Sequence, residues 1–116
     1  MRRVMVVDDH PSFRRCARML LAAEGFDVVG EAEDGARALT LADELMPDLV
    51  LLDVQLPDID GFEVAVRLLA VNPEVRIVLV SSRDASEYGA LIAGSGARGF
   101  VSKADLSGSA IESLLG

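Results

Sequence analysis

The sequence predicts an α/β domain in which five βα units form a doubly wound parallel sheet. The predicted strand order is 2-1-3-4-5, with helices on both faces. Two observations carry this expectation. Apolar runs of strand length alternate with stretches of helical periodicity, a pattern that implies a parallel sheet covered on both sides. The first, third and fourth runs are continuously apolar and suit central strands, whereas the second and fifth are short or mixed and suit edges. Length agrees: 116 residues fit one hydrophobic core, so the whole span 1–116 reads as one domain.

The elements follow in order. Val4-Met5-Val6-Val7 is the first strand. Phe13, Cys16, Ala17, Leu20 and Leu21 recur at helical spacing, which predicts an inward face with Cys16 in the core. Arg14, Arg15 and Arg18 then form a solvated face. Pro11 suits the first turn of this helix and Gly25 its stop. Phe26-Asp27-Val28-Val29 opens a weaker second strand. Asp34-Gly35 reads as a turn or cap before a helix carrying Ala38, Leu41, Ala42 and Leu45, ended by Pro47. Leu49 to Leu52 is a buried-type strand. Gly61 precedes a third helix with Phe62, Ala65, Val66 and Leu69 expected inward. Ile77 to Val80 is a strand, and Ser86 to Ala93 a fourth helix with Tyr88 as a packing residue. Gly99-Phe100-Val101 is a short strand, and Ile111, Leu114 and Leu115 face inward on a last helix.

Composition narrows the function. Hydrophobic residues make up 51% and charged residues 26%, which opposes disorder. No apolar run is long enough to span a bilayer, and no secretory signal is expected at the start. A cytoplasmic location is the expectation. The formal net charge of −8 disfavours direct nucleic-acid binding by this chain. The lone Cys16 excludes an internal disulfide and a thiolate metal centre. Lys103 is the single lysine beside ten arginines, which suggests a position that needs an amine.

In open α/β sheets, ligands bind beyond the carboxyl ends of the strands. Asp8 and Asp9 follow the first strand, Asp53 the third, Ser81 the fourth, and Ser102 and Lys103 the fifth. Three clustered carboxylates repel unless a cation joins them, and hard oxygen ligands suit Mg2+. A hydroxyl and an amine beside that metal complete a cage for a phosphoryl group. Lysine offers phosphate a compact point charge, where arginine presents a wide fork. His10, the only histidine, borders this site at the entry to the first helix.

Two other motifs are decoys. Gly94-Ser95-Gly96-Ala97-Arg98-Gly99 has dinucleotide-binding spacing, but it closes a helix and enters a strand, the reverse of what that fingerprint needs. Gly94 or Gly96 reads as a helix C-cap. Asp53-Val54-Gln55 shares its start with aspartyl-phosphate phosphatases of the haloacid-dehalogenase type, which need a second Asp where Gln55 stands.

Across essentially its whole length, the sequence resembles the receiver domain of two-component response regulators. The resemblance rests on Val7-Asp8-Asp9-His10-Pro11, Leu51 to Gly61, Ser81, Phe100 and Lys103, in that family's order and spacing. It implies that Asp53 is the phosphoacceptor, attacking the phosphohistidine of a sensor histidine kinase or phosphotransfer protein. It implies Mg2+ held by Asp9, Asp53 and the Gln55 backbone carbonyl, with Asp8 direct or through water. Ser81 would be the switch hydroxyl, Phe100 the switch aromatic, and Lys103 the partner of the phosphoryl oxygens. Gln55 and Arg83 would flank the path of hydrolytic water. The only reactions implied are self-phosphotransfer and autodephosphorylation, and a homodimer is a possible assembly. The Asp-His-Pro start and Ala104 after Lys103 look most like receivers of the LuxR/NarL type with helix-turn-helix output. The implied function is a phosphorylation-dependent signalling switch, stand-alone or part of a transcription regulator. A phosphorylation-independent scaffold is the alternative. With Ala104 in place of the proline common in other receivers, the bond after Lys103 is expected to be trans.

Overall fold

The computed structural model describes residues 2–115. Five parallel strands stand in the order β2-β1-β3-β4-β5: β1 Arg3–Val7, β2 Asp27–Ala32, β3 Leu49–Asp53, β4 Arg76–Ser81 and β5 Gly99–Ser102. The helices are α1 Pro11–Ala23, α2 Gly35–Leu45, α3 Gly61–Val71, α4 Ala90–Gly94 and α5 Gly108–Leu115. The expected order, with β2 and β5 at the edges, is the order found.

Side-chain alternation along the central strands builds two cores. Val4 and Val6, Leu49 and Leu51, and Val78 and Val80 pack with Ala17 and Leu21 of α1 and with Ile111 and Leu115 of α5. Met5 and Val7, Val50 and Leu52, and Ile77 and Leu79 face the other way, onto Ala38 and Leu41 of α2 and Val64, Ala65 and Leu68 of α3. A strand buried on both faces has no polar side, which explains the unbroken apolar runs.

Local signals set most of the ends. Pro11 occupies the first turn of α1, and Gly25 follows it in the left-handed region at φ 88°. Asp34 caps α2 by accepting the Arg37 backbone N–H at 2.7 Å, and Asp60 caps α3 through Glu63 at 2.9 Å. Each cap contributes about 1 kcal/mol. No peptide bond among the described residues is cis, so the bond after Lys103 is trans as expected.

Three expectations need correction. Cys16 is exposed and not in the core. The buried line of α1 runs through Ala17 and Leu21, and Cys16 lies one helical step to its side. Val66 is likewise 48% exposed. Gly61 sits so close to the end of β3 that it fixes the rotation of α3, and the inward set becomes Gly61, Val64, Ala65 and Leu68. The expected helix over 86–93 is a 3-10 turn at Ala85–Glu87 followed by a five-residue α4. Gly89, at φ 54° between them, interrupts the helical path. At the far end, Gly96 at φ 81° ends α4, and Gly94 lies within the helix.

Candidate functional site

Strand register brings the polar strand ends together. Val7 pairs with Leu52, Asp53 with Val80, and Ser81 with Ser102. Asp8, Asp53, Ser81 and Lys103 therefore emerge side by side along the carboxyl edge of β1, β3, β4 and β5. The edge is dry at its base: Asp8 and Ser81 are 0% exposed and Asp53 2%. Asp9 is exposed at the rim.

Ligand atoms of Asp8, Asp9, His10 and Asp53 all lie within 4.8 Å of one another. Lys103 Nζ is 2.6 Å from Asp8 Oδ2 and 3.5 Å from Asp53 Oδ2. The same ammonium lies 4.4 Å from the centre of the Phe13 ring, which screens one side of it from water. Asp53 Oδ1 accepts the Gln55 backbone N–H at 3.2 Å. Asp8 Oδ1 accepts the His10 backbone N–H at 2.8 Å and lies 3.0 Å from His10 Nδ1, which is also 3.1 Å from Asp9 Oδ1. Arg14 donates to the Asp8 backbone carbonyl at 2.6 Å and pairs with Glu31 at 3.3 Å. The expected solvated arginine face is thus partly engaged: Arg18 also meets Glu31, at 2.7 Å. One cation cannot balance three carboxylates. Burial first, and then the charge of Asp8, push the Asp53 carboxyl up to about 6 despite the opposing pull of Lys103.

A divalent cation fits this arrangement. Asp8 Oδ2 is buried and faces the Lys103 ammonium at 2.6 Å, with no backbone N–H bonded to it. Asp8, Asp9 and Asp53 offer hard oxygens from three backbone-anchored positions, the donor chemistry of a Mg2+ site. Gln55 stands beside Asp53 through its backbone N–H, with its side chain exposed.

Ser81 lies at the base of the edge. Its Oγ accepts the Arg83 backbone N–H at 3.1 Å and is 2.8 Å from the Tyr88 hydroxyl. Tyr88 packs between Phe62 and Phe100, with ring centres 5.4 Å and 5.7 Å away. Tyr88 is therefore more than packing, and sequence reasoning did not foresee its contact with Ser81. Nothing in the spacing of residues 81 and 88 signals it, because an irregular turn and not a helix sets their approach. The Asp58 brace was also missed. Its carboxylate accepts Gly35 and Ala36 backbone N–H groups at 2.8 Å and 2.9 Å, tying the loop after β3 to the start of α2. Those bonds hold the Asp58 carboxyl below its ordinary range.

Comparison with known proteins agrees with this geometry. Residues 4–111 match the family model described as response regulator receiver domain. The response regulator GacA of Pseudomonas aeruginosa is 40% identical over 102 residues, covering 87% of this chain and 48% of that protein. A LuxR-family two-component response regulator from Aurantimonas superposes with a TM-score of 0.89 at 33% identity, covering 99% of this chain and 85% of that one. The response regulator TrrA of Thermotoga maritima, solved in complex with Mg2+ and BeF, gives 0.86 at 30% identity, covering 99% and 97%. The chain spans about half the length of the curated relatives it matches. With fold, strand-end residues and family match in agreement, the chain belongs to the response regulator receiver domain family of two-component systems.

Proposed function

We propose that this chain is a phosphorylation-dependent switch, a single receiver unit over residues 1–116 that takes a phosphoryl group on Asp53. The observation that supports this best is a buried Asp53 carboxylate flanked by Asp8 and Lys103, at a strand edge that also holds Asp9. An Asp53 oxygen attacks the phosphorus of a phosphohistidine on a sensor kinase or phosphotransfer protein. A P–O bond forms, the P–N bond breaks, and the imidazole leaves and takes up a proton. Asp8, Asp9 and Asp53 would hold Mg2+, whose charge neutralises the phosphoryl oxygens when bound; the Gln55 carbonyl would complete the set. Lys103 takes the remaining phosphoryl charge as a point donor. Phosphorylation adds charge and acceptor oxygens, and Ser81 and Phe100 carry the change to the surface. TrrA bound to Mg2+ and BeF supports the same chemistry for this chain. The half-length match to curated relatives described as transcription regulators supports a role within a longer transcription regulator, and a cytoplasmic location is part of the same reading.

Incubation with Mg2+ and acetyl phosphate or phosphoramidate tests this. One phosphoryl group per chain, read by intact mass, is the expected result. No mass gain favours a phosphorylation-independent scaffold, and repeated turnover of phosphate esters favours a phosphatase.

Two variants divide the labour of the site. Asp9→Asn removes a rim carboxylate without disturbing the buried pair. Mg2+ affinity, read by calorimetry, should fall about tenfold or more, together with Mg2+-dependent phosphoryl uptake. Equal Mg2+ affinity would remove Asp9 from the metal's ligands. Lys103→Arg keeps the charge and changes its shape. The ammonium stands 2.6 Å from Asp8 and 4.4 Å from the centre of the Phe13 ring, where a broad planar fork would compete for space with the phosphoryl group. Asp53 should still gain a phosphoryl group, while the NMR response of Ser81 and Phe100 to phosphorylation is lost. A normal response in Lys103→Arg would show that charge alone suffices.

A further inference from the structure

The Ser81 hydroxyl is buried and already engaged. It accepts one backbone N–H from Arg83 and shares one hydrogen bond with the Tyr88 phenol. With the Ser81 hydroxyl donating to the Tyr88 oxygen, its single proton is committed, and a phosphoryl oxygen has to compete for it. Tyr88 is held by more than this bond. Its ring meets Phe62 of α3 edge-on and lies tilted against Phe100 of β5. Phe100 carries no hydroxyl, so in this aromatic row only Tyr88 has a polar handle. The segment that carries it is short, irregular and exposed: a 3-10 turn, a positive-φ Gly89 and a five-residue helix with Leu91 57% exposed.

We propose that Tyr88 is a positioning residue for the switch: its phenol oxygen accepts the Ser81 hydroxyl proton in the unphosphorylated chain and so holds that hydroxyl. Ser81 must leave that bond to donate to a phosphoryl group on Asp53. The inference rests on the reading of Asp53 as phosphoacceptor. It adds that resistance to switching resides in a Ser81–Tyr88 bond, and that the released phenol loosens the row from Phe62 to Phe100. Phosphoryl chemistry at the strand edge is thereby coupled to the surface of α4.

The test uses beryllofluoride with Mg2+ as a stable phosphoryl mimic. Tyr88→Phe removes one oxygen and keeps the ring contacts. It should bind the mimic about two- to tenfold more tightly than wild type, followed by 19F NMR, because one hydrogen bond no longer opposes the switch. Equal or weaker binding would overturn the proposal. The chain has one tyrosine and no tryptophan, so intrinsic emission reports Tyr88 alone. Emission from the ligand-free Ser81→Ala protein should differ from wild type, and wild-type emission should change as the mimic saturates. Identical emission from ligand-free Ser81→Ala and wild type would refute the bond while leaving the Asp53 reading intact. Failure of wild type to bind the mimic would refute the Asp53 reading, and the positioning role with it.

Discussion

Replacing Asp53 with asparagine should stabilise the metal-free fold. The native carboxylate is 2% exposed, next to the fully buried Asp8, and its carboxyl is pushed up to about 6. In the unfolded chain it titrates near 3.8. The folded state therefore holds this proton more tightly. The contribution of Asp53 to stability is fully present below about pH 4 and is lost as pH rises through about 6. The difference corresponds to about 3 kcal/mol at neutral pH as an upper figure. Asparagine keeps the shape and can still accept the Gln55 N–H, but it carries no charge. In denaturant unfolding with a chelator present, Asp53→Asn should exceed wild type by about 1–3 kcal/mol at pH 7. The gap should close toward pH 4. A gap of the same size at both pH values, or a less stable variant, would show that Asp53 carries no buried-charge cost. Saturating Mg2+ should narrow the gap from the other side, because a cation stabilises the wild-type site more.

Gly61→Ala should be the most damaging glycine-to-alanine change among the described residues. A Cβ at this position would collide with the Asp53 carbonyl oxygen and lie 2.7 Å from Val54 Cα. Both are backbone atoms of the segment that presents Asp53, and the Gly61 N–H is bonded to the Val54 carbonyl at 2.7 Å. Neither side can yield without moving α3 or the end of β3. The expected loss is about 3 kcal/mol, near the top of the overpacking range, and a fall of about 10–20 °C in thermal midpoint. Phosphoryl uptake should fall as well, since the strain acts on the residue that accepts the group. Gly108→Ala is the matched control. Its Cβ would strike the Glu24 side chain from Cγ outward, and that exposed side chain can yield by changing rotamer without moving backbone. A loss at Gly61 no larger than at Gly108 would show that α3 is free to shift.

Both predictions draw on features of different legibility. The continuous apolar runs at Val4–Val7, Leu49–Leu52 and Ile77–Val80 announced the central strands, because a strand buried on both faces admits no polar position. The residues just beyond those runs announced the site, because a parallel sheet delivers all its carboxyl ends to one edge. What stayed hidden depends on contacts between distant elements. Helical periodicity could not say whether Cys16 or Ala17 leads the buried line of α1. The rotation of α3 is fixed by the approach of Gly61 to Asp53, so Val66 read as core and is exposed. The break at Gly89 was hidden by apolar residues on both sides of it. Tyr88 read as packing because its bond to Ser81 spans a turn with no period, and nothing local marks the Phe13 ring beside Lys103.

Where a phosphoryl group forms its bond is the most direct test of the account. After incubation with Mg2+ and acetyl phosphate, borohydride reduces an acyl phosphate to the corresponding alcohol. The modified side chain can then be located by peptide mass mapping. The account predicts homoserine at position 53 in about one residue per chain, none without Mg2+, and none in Asp53→Asn. Reduction at Asp8 or Asp9, or a phosphoryl group retained in Asp53→Asn, would contradict it.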